Sequence, residues 1–173
     1  MKVKCILGTV MVMMLIGSAV RAADWNDRWR YDPNSQDKFK EPDVTLDLFG
    51  TFATRDRFGA DDDKWGGGAG VTAYFVRYLG VEADTYLEEW KWPYRANASL
   101  LARLPLGNSG LAVYGMGGGG RQWKYVPQWS YHGGAGAQLK LNPYTALFGD
   151  WRRVFPEDTG AYHLVRFGLN VGF

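Results

Sequence analysis

Through the final nine residues, VRFGLNVGF, a large apolar group stands on every second position: Val165, Phe167, Leu169, Val171 and Phe173. Between them lie Arg166, Gly168, Asn170 and Gly172. A period of two marks a strand with one apolar face and one small or polar face. The pattern recurs upstream. In VTLDLFGTFAT, Val44, Leu46, Leu48 and Phe52 share one face; Thr45, Asp47, Phe49, Thr51 and Ala53 share the other. In GAGVTAYFV, Val71, Ala73 and Phe75 oppose Thr72 and Tyr74. In VEADTYLEEW, Val81, Ala83, Thr85 and Leu87 oppose Glu82, Asp84, Tyr86 and Glu88. RANASLLARL sets Ala96, Ala98, Leu100, Ala102 and Leu104 against Arg95, Asn97, Ser99 and Arg103. GAGAQLKL sets Ala135, Ala137, Leu139 and Leu141 against Gln138 and Lys140, and TALFGDWRR sets Thr145, Leu147 and Trp151 against Ala146, Phe148, Asp150 and Arg152. LAVYGMGGGG is ambiguous, because glycine carries no face; the reading adopted places Tyr114 and Met116 outward with the apolar groups.

The first 22 residues stand apart. Lys2 and Lys4 precede an uncharged apolar run from Cys5 to Val20, and Val20-Arg21-Ala22 offers a cleavage site, so residues 1–22 are expected to be a secretory signal. Cys5, inside that leader, is the only cysteine, and the exported chain is expected to carry no disulfide. Without Lys2, Lys4 and Arg21, the 20 basic residues become 17 against 18 acidic ones. Such a near-neutral chain lacks the basic field a nucleic-acid partner requires. No later apolar run is long enough for a membrane helix. A spanning structure must then be a closed barrel, in which every backbone polar group is paired.

Eight alternating segments, each near the ~9–11 residues that cross a bilayer when tilted, predict an all-β, eight-stranded antiparallel up-and-down transmembrane barrel over residues 44–173. Short turns at 78–80, 105–110 and 142–143 alternate with mostly longer connections at 55–64, 89–94, 121–131 and 154–160. Transmembrane barrels show this asymmetry. Residues 23–43 are polar, with Pro33 and Pro42; Trp25 and Trp29 are spaced for one face of a short interfacial helix, and a plain tether fits equally.

A soluble sandwich alternates too, with apolar residues facing in. The polar face separates the two. It carries Asp47, Glu82, Asp84, Glu88 and Asp150, and also Arg95, Arg103, Lys140, Arg152 and Arg166. Five acids balance five bases near mid-strand. A face in bulk water needs no such balance; a narrow lumen does, because a poorly solvated charge must find a partner. Eight strands enclose just enough room for side chains, so a packed polar interior without a pore is expected. Trp65, Trp90, Trp92, Trp123, Trp129 and Trp151 are placed at the external strand ends or loops, and Tyr78, Tyr114, Tyr144 and Phe173 at the opposite ends, as two aromatic girdles.

The terminal residues Arg166, Gly168, Val171 and Phe173 resemble, at every defined position, the C-terminal assembly signal of bacterial outer-membrane barrels. With the WGGGAGVTAYFVRYLGVEAD stretch and the Gly-rich fifth strand, the chain resembles the small eight-stranded outer-membrane barrel family, OmpA-like in its transmembrane part. The resemblance implies location in the outer membrane, recognition of those four residues by the barrel assembly machinery after passage with periplasmic chaperones, and contact with outer-membrane lipid and lipopolysaccharide. The resemblance covers the barrel part alone, and neither a peptidoglycan-binding domain nor a cell-wall tether is expected. A monomer is expected.

Chemistry is sparsely signalled. His132 and His163 are read as polar residues near the external rim, and without cysteine or suitable carboxylate spacing no metal site is expected. Asp61-Asp62-Asp63 reads as a solvated acidic run, and the GGGG at 117–120 lacks the Lys-Ser/Thr and following helix of a phosphate loop. No cofactor and no catalytic residue is expected, and the role is read as structural or interactive within the envelope. Two alternatives stay open. Small outer-membrane barrels include lipid A acyltransferases and deacylases, and Ser130 lies two residues from His132. The other is a soluble periplasmic barrel with a small apolar ligand. Arg55, Arg57, Lys64, Lys91 and Lys124, near the outer rim, are the cations expected to meet lipid phosphates.

Overall fold

The computed structural model describes residue 39 and residues 43–54, 63–88, 95–107, 109–123 and 127–172. Within them eight strands form: β1 Asp43–Ala53, β2 Lys64–Val76, β3 Leu79–Glu88, β4 Arg95–Pro105, β5 Leu111–Gln122, β6 Gln128–Lys140, β7 Thr145–Pro156 and β8 Tyr162–Gly172. Each pairs antiparallel with its neighbour in sequence, and β8 pairs with β1, so the sheet closes into an up-and-down barrel. The expected leader, the tryptophans at 25 and 29, four of the five rim cations, Trp90, Trp92 and Phe173 lie outside the described residues, as does the side chain of Glu88.

The stagger of the strands follows from the pairing. A path of directly opposed residues leaves Asp43, passes Tyr74, Gly80, Leu101, Met116, Gly134, Arg152 and Leu164, and returns to β1 at Ala53, ten residues beyond its start. With ~3.3 Å per residue and ~4.8 Å between strands, this tilts the strands about 40° from the barrel axis. One residue along a strand then climbs ~2.5 Å, and one step to the next strand ~3 Å.

The barrel is inside-out. Leu100 is 69% exposed and Phe167 53%, whereas Glu82, Arg103 and Arg166 are at most 4% exposed. On the tilted lattice, the outward Phe75 and Tyr144 lie at one level. Phe52, Trp65, Tyr131 and Phe155 lie at another, roughly 25 Å higher, with only small or apolar groups and Thr85 between. Trp151 sits ~8 Å below the upper ring, where its indole stacks on His163 at 5.3 Å.

Three expectations need correction. Tyr114 and Met116 face inward and are 8% exposed. Tyr114 opposes Arg103, and directly opposed residues share a face, so the inward arginine carries the tyrosine with it. Tyr114 is accordingly no part of the lower aromatic ring. His132 is 6% exposed inside the barrel, not a rim group. The fifth connection is also shorter than the Trp/Tyr-rich 121–131 stretch suggested: Gln128 to Tyr131 are strand, paired to β5 and β7. Aromatic residues suit strands as readily as external loops, so composition misplaced that boundary.

Glycines on the inward face set how large rings fit. A Cβ on Gly68 would lie 2.6 Å from the Phe49 ring, and one on Gly136 2.7 Å from the Tyr114 ring. A barrel of eight strands holds its interior at packing density only when small residues stand opposite large ones. The Gly-rich segments therefore make room for aromatic side chains.

Candidate functional site

The lumen is filled in three tiers. At the end with the short turns, Asp43 lies between Lys140 Nζ at 2.7 Å and Arg103 Nη1 at 3.2 Å. The Arg103 guanidinium lies over the Tyr74 ring at 3.5 Å and the Phe39 ring at 4.8 Å, and Lys140 lies 5.2 Å from Phe39. Phe39 is 1% exposed. The shared carboxylate and the aromatic faces together stabilise the two cations, one of whose charges the carboxylate balances. Asp43→Ala removes the shared carboxylate, and is expected to lower stability by about 2 kcal/mol in urea unfolding of the detergent-folded barrel.

The middle tier is an ion cage. Arg166 donates Nε and Nη2 to the two oxygens of Asp150 at 3.0 and 2.7 Å, and Nη1 to Glu82 at 2.6 Å and Asp84 at 3.1 Å. Arg152 donates to the same three carboxylates: Nε to Asp150 at 3.2 Å, Nη1 to Asp84 at 2.8 Å and Nη2 to Glu82 at 2.8 Å. Tyr114 Oη and Asn97 Nδ2 supply further donors, to Asp150 at 3.0 Å and Asp84 at 2.6 Å. Each acid therefore bridges both guanidiniums, and the fork geometry of arginine is what permits it. The Arg166 guanidinium also lies 4.6 Å from the Phe49 ring and 5.6 Å from Phe148. Asp47 stands beside the cage, accepting from Thr45, Thr72 and Asn170 at 2.9, 2.5 and 2.6 Å.

At the end with the longer connections, Arg95 donates to the Tyr162 hydroxyl and to Gln122 Oε1, the latter at 2.6 Å. Its guanidinium lies over Tyr86 and Tyr162, whose hydroxyls are 3.1 Å apart. Ser99 and His132 meet at 2.8 Å across β5, where Gly118 opposes both. Both are at most 6% exposed, so this Ser–His pair has no face open to an acyl chain. The Ser130 hydroxyl turns instead to the Gly120 carbonyl at 3.5 Å.

Of the ten residues expected on the polar face, Asp47, Glu82, Asp84, Arg95, Arg103, Lys140, Asp150, Arg152 and Arg166 are buried inside, and the Glu88 side chain is outside the described residues. Asp43, which the sequence reading left in the polar N-terminal segment, joins them. It is in phase with Thr45 and Asp47, and extending the alternation by one step would have found it. The interior is less uniformly polar than expected: Phe49, Tyr86, Phe148, Val154, Tyr162 and Leu164 cluster there, and so do Tyr74, Leu101, Tyr114 and Met116. A cavity of about 20 Å³ remains beside Asp47, Glu82 and Arg166, room for about one water. Of the terminal residues, Arg166 and Gly168 face the lumen and Val171 faces outward.

No protein-family model matches the chain, and no curated protein matches its sequence. Solved structures match its fold. The N-terminal β-barrel domain of Pseudomonas aeruginosa OprF superposes with a TM-score of 0.60 at 12% identity, over 76% of this chain and 97% of that domain. Neisserial surface protein A gives 0.56 at 14% identity, over 75% and 97%. The outer membrane protein OprG of Pseudomonas aeruginosa gives 0.50 at 13% identity, over 78% and 97%. At these identities the likeness is one of fold: the small eight-stranded closed barrel.

Proposed function

We propose that this chain is an integral outer-membrane β-barrel with a structural or envelope-interaction role and a closed lumen. One observation carries the reading: an apolar outer wall ~25 Å tall, bounded by aromatic residues, encloses an interior that holds the described strand carboxylates. That height matches the hydrocarbon band of such barrels. The arrangement is backward for a soluble barrel, whose exposed Leu100, Leu104 and Phe167 would lie in water. The three solved barrels support the same reading through their shared fold. The nearly filled interior favours a plugged barrel over a conducting one, and the enclosure of Ser99 and His132 favours a non-enzymatic role.

The membrane reading is tested by fractionation of the envelope and by comparing boiled and unboiled gel mobility. It is tested more sharply by Leu100→Arg, near the middle of the outer wall. In a bilayer this substitution is expected to cost about 2–4 kcal/mol. In a soluble protein an exposed Leu→Arg change stays within about 0.5 kcal/mol. A Leu100→Arg protein with unchanged unfolding in vesicles, or wild-type chain recovered in the soluble periplasmic fraction, rules out the assignment.

A further inference from the structure

The outer wall carries very few charged groups, and they are not scattered. Among the described strand residues that face outward, the basic side chains are Arg121 on β5, Arg153 on β7 and His163 on β8, and none is acidic. On the tilted lattice all three lie within roughly 4 Å of one level, that of the upper aromatic ring. Arg153 opposes His163 directly, and Arg121 lies about 16 Å from Arg153 along the wall. At the same level, β1 to β4 present Phe52, Trp65, Leu87 and Ala96. The cationic sector is therefore confined to one half of the circumference.

Each guanidinium is propped on an exposed ring of its own ladder. Arg121 Cζ lies 5.1 Å from the Trp129 ring and Arg153 Cζ 5.4 Å from the Phe155 ring. Trp129 is 52% and Phe155 47% exposed. Stacking covers a face of the guanidinium and leaves its N–H edge for a planar or tetrahedral anion. The His163 ring is stacked on Trp151, and its Nδ1 is buried there without a hydrogen-bond partner. Asp150, the acid nearest Arg153 in sequence, faces the lumen; Glu157 and Asp158 follow β7, with the Glu157 N–H donating to the Trp129 carbonyl at 3.1 Å. A cation at the boundary of hydrocarbon needs a counter-charge, and no described outward-facing strand residue supplies one.

From this geometry we infer that the β5–β8 sector, through Arg121 and Arg153 with His163 beside them, is a binding site for the phosphates of an outer-leaflet glycolipid headgroup. It rests on the outer-membrane reading and adds to it a defined half of the barrel and a ligand class. The aromatic ring fixes the depth; the two arginines, at that depth, each meet a phosphate of the headgroup. At this level the described outward residues of β1 to β4 offer lipid apolar contact alone.

The test uses the full chain folded in mixed micelles with diphosphorylated lipid A or its dephosphorylated form, and counts retained lipid by native mass spectrometry. Wild type is expected to retain the phosphorylated form about ten-fold better. Arg121→Gln/Arg153→Gln should reduce that preference to under about two-fold, while Arg77→Gln, in the turn between β2 and β3 at the opposite end of the barrel, should leave it intact. Unboiled gel mobility checks that each variant is folded; if the double variant is not, the two single variants carry the comparison. Equal retention of both lipids by folded wild type overturns the inference and leaves the barrel reading standing. So does a preference that survives the double substitution, or one lost equally with Arg77→Gln. A wild-type chain that fails to fold in any amphiphile overturns the barrel reading itself.

Discussion

Arg166→Met is expected to destabilise the folded barrel by about 3–5 kcal/mol, read as a shift in the urea midpoint in detergent or vesicles and as early loss of the fast-migrating unboiled band. The substitution keeps most of the side-chain volume, so little of the loss is packing. Its cost lies in what remains. Asp150 loses its bidentate partner, Glu82 its 2.6 Å contact and Asp84 one of its guanidinium donors, leaving three carboxylates to share Arg152. Desolvated acids deprived of a cation are among the most costly groups a protein interior can hold. Asp150→Asn in the same chain removes one of the excess charges and should recover part of the stability. If the double variant is no better than Arg166→Met alone, the cage is not an electrostatic unit and each pair acts separately.

Gly168→Val is expected to abolish the folded barrel, and even Gly168→Ala to cost about 2–3 kcal/mol. A Cβ at this position would lie 2.1 Å from the Leu48 carbonyl oxygen and 2.8 Å from Phe49 Cα. Both are backbone atoms of β1, so relief requires opening the β1–β8 seam that closes the barrel. Gly172→Ala is the matched control, because a Cβ there meets its nearest neighbours at ordinary contact distance, 3.6 Å. The pair also separates two reasons for a glycine in this segment. Purified protein refolded into detergent needs no assembly machinery. A Gly168→Ala chain that refolds there as well as wild type, yet fails to reach the membrane in cells, would assign the glycine to recognition. Failure in both settings assigns it to the seam.

The cage shows where sequence reasoning stopped. Asp47, Glu82, Asp84, Asp150, Arg152 and Arg166 were legible as one face, because each stands in phase with clear alternation on its own strand. Their partners were not legible. Arg166 meets Asp150 on the neighbouring β7 but Glu82 and Asp84 across the lumen, and no spacing in the chain encodes that. Tyr114 escapes the sequence reading for a related reason: Gly115 and Gly117 to Gly120, which follow it, erase the local alternation, and only pairing with β4 orients the strand. The inward glycines themselves were read as a family trait, and their use emerged with the rings that lie against them.

Alternation by itself determined that this chain forms eight antiparallel strands and which side of most strands is oily, because a period of two is local and survives without knowing any neighbour. Closure, the ten-residue stagger and the meeting of charges across the lumen were decided only by the tertiary structure. Those depend on register, and register is set by how every strand packs against two others at once.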